Sequence, residues 1–562
     1  MRMHKLVMVV AAHVSALNLI YLVFATLRTK DSLLDDQNSE KIGYQGSKPT
    51  LNEPPVTFLG YQTTFLGYQT SYTSDLGFEA WIAQQKNRSF HLMLENIASC
   101  LSNLPPQEVL HGIVIASPLR DNPNYFFNWI RDSALTIRSL IHHMSDNPDL
   151  PSSAFRSIIE LYIELNIRLQ RLPNRSGIFN DEKRSGLGEP KFLPNGCSFE
   201  EPWGRPQSDG PALRILTVSS YLNYLKSLKE SNDNTDSRDA SSIYRRLIKP
   251  DLEYVMKNWR TELFDLWEEI RSFHFFNALV QLRSIKDGLA LAMEFEDSQE
   301  FLKTLRTNFK ELKEFILDPS TGFYSRRVAH IIETPSLALR QERSGLDAAV
   351  LLASLHAHDT EVGVDDCIPF DIDESHILNT ITAMVADMKN RYPINKKASE
   401  QKQHLGAALG RYPEDVYDGY ASSEGNPWFI CTVSASEVLY KLVFKKLHAK
   451  SDIVVTKDTR EFYSGVTKIP HRVNSNREIM KLKYGSKQYN SALYNILEYS
   501  DSFMKCLKNH VGNGGHMLEQ FNRNTGYMQG ANDLTWSYSS FVSGARWRTK
   551  AYEMVRAIQK KK

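Results

Sequence analysis

The chain has 562 residues, with 67 Lys and Arg against 65 Asp and Glu, for a formal charge of +2. That near balance argues against a nucleic-acid or membrane-surface role carried by overall charge, and the length admits one large domain or several small ones. The five cysteines, Cys100, Cys197, Cys367, Cys431 and Cys506, include no CxxC pair, which speaks against a zinc site and a disulfide-held fold. One bridge in an oxidising compartment remains open.

The chain starts "MRMHKLVMVVAAHVSALNLIYLVFATLRTKD". A basic start (Arg2, Lys5) precedes an apolar run from Leu6 to Leu27, closed by Arg28 and Lys30. The run is long enough to span a bilayer, where about 20 residues are needed, although His13, Ser15 and Asn18 weaken it. Residues 1–28 therefore read as a cleaved signal peptide or an uncleaved anchor at residues 6–27. Either routes the chain into the secretory pathway, with a vacuolar lumen, a membrane-anchored position or the cell exterior as destinations. Two N-x-S/T sequons, Asn87 and Asn174, are candidate glycosylation sites in that setting.

Residues 29–75 form a polar, low-complexity linker. It contains a tandem duplication, "TFLGYQT" at Thr57–Thr63 and again at Thr64–Thr70, which reads as slippage in a tolerant segment. From residue 76 to 562 the pattern turns helical. Phe155, Ile158, Ile159, Tyr162 and Leu169 keep 3-and-4 spacing after Ser152–Ser153, which offers a cap. Leu302, Leu305, Phe309, Leu312 and Ile316 repeat the pattern, and "SASEVLYKLVFKKLH", Ser434 to His448, reads as another amphipathic helix. Between such helices lie long Gly/Pro/Asn/aromatic segments, and long structureless connections inside a domain are usually functional. The pattern predicts one large all-α domain with its site built from loops at one end.

No phosphate-binding glycine loop, H-E-x-x-H helix or G-x-S-x-G turn is present, so nucleotide, zinc-hydrolase and serine-hydrolase chemistry lack support. What remains is carboxylates and tryptophans in the loops. Aromatic faces cover the C–H faces of a sugar ring, while Asp, Glu and Arg bond its hydroxyls. Glycosidic cleavage needs two carboxyl groups, one protonated and one ionised. "DLWEEI" offers Asp265, Glu268 and Glu269 at helical i, i+3 and i+4 spacing around Trp267, so the sequence predicts three acids crowded on one helix face, one of them with a raised pKa. "MLEQF" offers Glu519 in a Gly/Asn loop. Taken singly, a Glu pair is most often a solvated helix face and a loop Glu a surface residue.

Six motifs in order, "YFFNWIRDSAL", "WGRPQSDGPALR", "FDLWEE", "RSGLD", "GRYPEDVYDGY…GNPW" and "LEQF…TGYMQGANDLTWSY", resemble the fungal glucoamylases of glycoside hydrolase family 15, from about Ala80 onward. Among these, the chain is most similar to the yeast sporulation-type members that lack a starch-binding domain. The resemblance implies an (α/α)6 barrel. It also implies release of β-glucose, with inversion, from the non-reducing ends of starch, glycogen or maltooligosaccharides. Carried over by motif, Glu268 is the general acid and Glu519 the general base. Tyr125, Trp129, Arg131 and Asp132 match the subsite that holds the terminal glucose, Trp203 a platform near the acid, and Trp536 a tryptophan lining the pocket. Asp265, Trp267 and Glu269 flank the acid, and Arg343 matches an arginine at the first two subsites. Neither metal nor organic cofactor is implied, and the expected partner is an α-glucan, bound by a monomer, with no nucleic acid. Two positions depart from the family: Phe127 where tyrosine is frequent, and Leu518 where a serine often precedes the base. Trp428 reads as packing, and Arg411, Glu414 and Asp415 as an ionic network that locks a loop. Two rivals keep the fold: a non-catalytic sugar sensor like the domain in phosphorylase kinase regulatory subunits, and a hydrolase for dextran or trehalose.

Overall fold

The computed structural model describes residues 64–65, 68–69, 77–99, 102–149, 152–230, 237–325, 328–358, 367–401, 406–467 and 480–559. The apolar run at 6–27 and nearly all of the linker lie outside the described residues, as does Cys100. Within the linker, the second copy of the duplicated heptamer pairs Thr64 with Gln69 and Phe65 with Tyr68 in a short antiparallel hairpin. Among the described residues no helix is long and apolar enough to cross a membrane.

Twelve helices carry the architecture. In chain order they are α1 (Phe78–Glu95), α2 (Ile130–Asp146), α3 (Ser153–Leu169), α4 (Asp209–Glu230), α5 (Lys249–Asn258), α6 (Phe275–Glu294), α7 (Gln299–Leu317), α8 (Ala349–Ala357), α9 (Ser375–Arg391), α10 (Phe429–His448), α11 (Lys487–Lys508) and α12 (Thr535–Gln559). The even-numbered helices form an inner ring: α2 packs on α4, α4 on α6, α6 on α8, α8 on α10, α10 on α12, and α12 returns to α2. Each odd-numbered helix packs outside an even one, α1 against α12, α3 against α2, α5 against α4, α7 against α6, α9 against α8 and α11 against α10. The fold is an all-α (α/α)6 barrel.

The two rings use different sequence patterns for a physical reason. An outer helix touches protein on one side only, so it needs one apolar stripe. Phe155, Ile158, Ile159, Tyr162 and Leu169 of α3 form such a stripe, as do Leu302, Leu305, Leu312 and Ile316 of α7. An inner helix is enclosed by two ring neighbours and an outer partner, so it is buried on every side. That corrects the reading of Ser434–His448 as amphipathic: in α10 even Glu437 and Lys441 are buried. The cap expected at Ser152 is also corrected, since its side chain makes no capping bond, whereas Ser298 accepts from Phe301 N at the start of α7.

Strands among the described residues are two or three residues long and occur only as hairpin-like pairs. Three of them stand where loops enter the inner ring: Asn128–Trp129 with Lys191–Phe192, Leu263–Phe264 with Arg271–Ser272, and Gln520–Phe521 with Met528–Gln529. They hold otherwise irregular loops in fixed register above the N-termini of the inner helices.

Candidate active site

The inner helices deliver their first residues to one place. Trp129 precedes α2 and Trp428 precedes α10, while Trp536 lies in the first turn of α12. These three tryptophans line a pocket of about 360 Å³ together with Tyr125, Arg131, Asp132, Trp203, Trp267, Glu268, Glu269, Arg411, Tyr417 and Glu519. Trp267 stacks on Trp536 at 6.4 Å and meets Trp428 at 5.7 Å. Trp536 also borders a second cavity of about 290 Å³ lined by inner-ring helices. The positive ends of helix dipoles face the pocket, which favours negative charge there.

The segment around Glu268 is not helical, contrary to the i, i+3, i+4 expectation. It is a hairpin turn between Leu263–Phe264 and Arg271–Ser272, and the three acids diverge. The reason lies in Asp265. Its carboxylate accepts from the amides of Glu269 and Ile270, both at 2.8 Å, and this bonding competes with a helix and closes the turn. Asp265 is buried and does not line the pocket. Glu268 adopts φ +67°, a left-handed conformation that costs a non-glycine residue free energy and aims its side chain into the pocket. Gly204 makes this possible from the other side: a Cβ there would stand 2.3 Å from the carbonyl oxygen of Glu268.

Glu268 accepts from Arg131 Nη2 at 2.9 Å and from the indole Nε1 of Trp203. Arg131 is itself held by Asp209 at 2.8 Å and Gln207 at 2.9 Å, so it cannot swing freely. Burial pushes the Glu268 carboxyl above the usual range, against Arg131 and Lys191, which hold it down. Burial also raises Asp132, against Arg131 beside it. Glu269 turns away from Glu268, bonding Arg343 at 2.8 Å, Arg411 at 2.8 Å and the Tyr412 hydroxyl. Burial pushes Glu269 up, but these partners outweigh it and its pKa is lowered. Arg343 reaches the site through Glu269 and does not line the pocket.

Glu519 enters from the opposite part of the chain, just before the Gln520–Phe521 strand, and is 1% exposed. Burial pushes its carboxyl up to about 8, with Asp415 acting the same way, while Arg411 and the neighbouring hydroxyls of Tyr125 and Tyr417 favour the ionised form. The two tyrosine hydroxyls lie 3.0 Å apart. Gly530 backs the carboxylate, since a Cβ there would come within 2.5 Å of Glu519 Oε2.

Several residues expected from sequence have mixed placements. Arg411 is locked by Asp415 at 2.6 and 2.8 Å, so that part of the ionic network exists, whereas Glu414 accepts from a backbone amide, Ser344 N, at 3.0 Å. Arg411 nonetheless lines the pocket as well. Trp428 packs on Trp267 and Tyr417, yet it too lines the pocket. Phe127 meets Phe199 and Trp129 edge to face, and the Leu518 carbonyl accepts from Ser537 Oγ at 2.9 Å. Asn87 lies within α1, half-buried, and the amide of Asn174 donates to Leu172 O and Gly186 O within its own loop. No cluster suited to a metal occurs among the described residues. Tyr417 and Lys191 escape sequence reasoning. Tyr417 stands inside the quoted "GRYPEDVYDGY", but Lys191 is a lone lysine that only strand pairing brings to the site.

A closed ring of inner helices ending in a tryptophan-floored pocket with one buried and one half-buried glutamate defines a glycoside hydrolase. Comparison with known proteins makes this specific: residues 91–546 match glycosyl hydrolases family 15, and the chain belongs to that family. Relatives include a glucoamylase of Saccharomycopsis fibuligera, 37% identical over 84% of this chain and 90% of its own. Another is the intracellular sporulation-specific glucoamylase of Saccharomyces cerevisiae, 37% identical over 82% of this chain and 83% of its own. The solved structure of the Saccharomycopsis fibuligera glucoamylase superposes with a TM-score of 0.79, at 37% identity over 86% of this chain and 97% of that one. The Hormoconis resinae glucoamylase follows at 0.73, 31% identical over 85% of this chain and 74% of that one.

Proposed function

We propose that the chain is an inverting exo-acting glucan 1,4-α-glucosidase in which Glu268 protonates the leaving oxygen and Glu519 takes a proton from the attacking water. The carrying observation is that both acids, from segments far apart in sequence, line a single pocket with different partners. Inversion needs a protonated and an ionised carboxyl on opposite sides of the sugar, with room for water between. A pocket whose inner end is floored by Trp267, Trp428 and Trp536 receives a chain terminus and not the middle of a strand, which supports removal of one glucose at a time. Arg131 and Asp132 at the start of α2 bond the hydroxyls of the terminal glucose. Trp129, Trp203 and Tyr125 offer it ring faces and a hydroxyl. Glu269 and Arg343 act from the rim, and Asp265 contributes by holding the turn.

The hydrolysis of maltotriose followed by proton NMR tests the reading. β-Glucose first, accompanied by maltose, is the expected outcome. α-Glucose as the first product overturns inversion, and internal cleavage of longer chains without early glucose overturns exo action. The secretory route belongs to the same proposal, supported by the apolar run at residues 6–27.

A further inference from the structure

Lys191 is a charge buried where the scheme above gives it no task. Its strand, Lys191–Phe192, pairs with Asn128–Trp129 and so carries it into the wall beside the acid. The side chain is 2% exposed. Among the described residues no carboxylate pairs with its ammonium. Four aromatic rings surround it instead: Trp203 at 3.5 Å, Phe127 and Phe199 at 4.2 Å each, and Trp129 at 4.5 Å from Nζ. The rings brace one another edge to face, Phe127 on Phe199 at 5.2 Å and Trp203 on both Trp129 and Phe199 at 6.0 Å. An ammonium stripped of water is held by ring faces through their quadrupoles. Phe127, where the family often has tyrosine, serves this box with a face that needs no hydroxyl.

Trp203 joins the box to the chemistry. Its face covers Lys191 while its Nε1 donates to Glu268. We propose that Lys191 is a positioning residue for the reaction: its caged ammonium fixes Trp203 and Trp129 and sets a positive charge behind Glu268 that governs the pH at which the acid loses its proton. This rests on the reading of Glu268 as general acid. A hydrated surface lysine would be screened, but a cation as buried as Lys191 acts on a nearby carboxyl through a lowered dielectric, even with Trp203 38% exposed at the pocket. The other charges facing Glu268 are Arg131 and Asp132 from α2. Those facing Lys191 are Arg205 and Glu189, which pair with each other at 3.0 Å and largely cancel. Burial lowers Lys191 itself to about 8, so it carries its charge below that pH.

The direction of the effect follows. A cation favours the ionised form of Glu268 and lowers its pKa. An acid must hold its proton, so turnover is lost as pH rises through that pKa, and removing the cation moves the alkaline limb of the profile upward. Profiles of kcat/KM on maltose, sampled every quarter unit, are compared for the unaltered enzyme, Lys191→Met, Lys191→Arg and Phe199→Leu. Lys191→Met is expected to displace the alkaline limb to higher pH and raise KM several-fold. Lys191→Arg keeps the limb in place because it keeps the charge. Phe199→Leu wets one wall and gives a smaller displacement in the same direction. An unmoved or lowered limb in Lys191→Met overturns the inference, as does an equal displacement in Lys191→Arg. Should Lys191→Met not fold, Phe199→Leu decides, and an unmoved limb there overturns it. Glu268→Gln separates the two claims: full turnover in that variant removes the acid assignment itself, whereas an inactive Glu268→Gln beside an unmoved Lys191→Met removes only the role of the lysine.

Discussion

Glu268 and Glu519 are the same side chain in the same pocket, yet their surroundings are unlike. Glu268 stands on a strained turn and faces cations, Arg131 directly and Lys191 through a shared indole. Glu519 stands at the start of a short strand and faces hydroxyls, those of Tyr125 and Tyr417, with Arg411 beyond. Burial raises both. A glycine stands behind each, Gly204 against the backbone of the acid and Gly530 against the carboxylate of the base. The contrast teaches that the two proposed roles are both set against burial, which is deeper for Glu519 than for Glu268. They differ in what answers it: for the proposed acid, the charges of Arg131 and Lys191, and for the proposed base, Arg411 and two tyrosines that oppose a rise still reaching about 8.

The comparison breaks most sharply at the acid. Glu268→Gln is expected to lower turnover on maltose by at least about 10²-fold with the fold intact by circular dichroism, and retained turnover would remove Glu268 from the role. Glu519→Gln comes next, with a loss of about the same order in the absence of added nucleophile. Azide is expected to restore part of the activity to Glu519→Ala but none to Glu268→Gln, and equal restoration in both would erase the distinction. Tyr417→Phe sharpens the base side. It removes a donor that favours ionised Glu519, so the base pKa rises, and because turnover is lost as pH falls through that pKa, the acidic limb moves to higher pH. The expected loss at pH 5 is about tenfold, the worth of one hydrogen bond to a charged group, and an unmoved acidic limb would count against the assignment. Smallest on turnover is a change in the barrel wall. Arg214 and Asp251 form a fully buried bidentate pair at 2.6 and 2.7 Å away from the pocket. Asp251→Asn is expected to cost about 3–5 kcal/mol in urea unfolding, because it strands a buried cation, with turnover per folded molecule unaltered.

The outer ring was the most legible part of the chain, because a helix half in solvent must write its orientation as spacing. Phe155 to Leu169 and Leu302 to Ile316 did so. The inner ring erased that signal by being buried all round, which is why Ser434–His448 misled. At the site, the joint order of six motifs located Glu268, Glu519 and the tryptophans of the pocket. It could not foresee that Asp265 would fold the acid segment into a turn, since that depends on a side chain choosing backbone amides over solvent. Nor could it find Lys191, whose meaning exists only once two short strands pair and four rings close on it.

The ring is sealed by α12, which packs on α10, α2 and α1. The same helix brings Trp536, and Glu519 precedes it by only a short stretch. The proposed base, the floor of the pocket and the final seam therefore exist together only once the chain has been made through α12. A chain interrupted ahead of α12 would be catalytically silent toward glucan although most of the barrel's helices were already present.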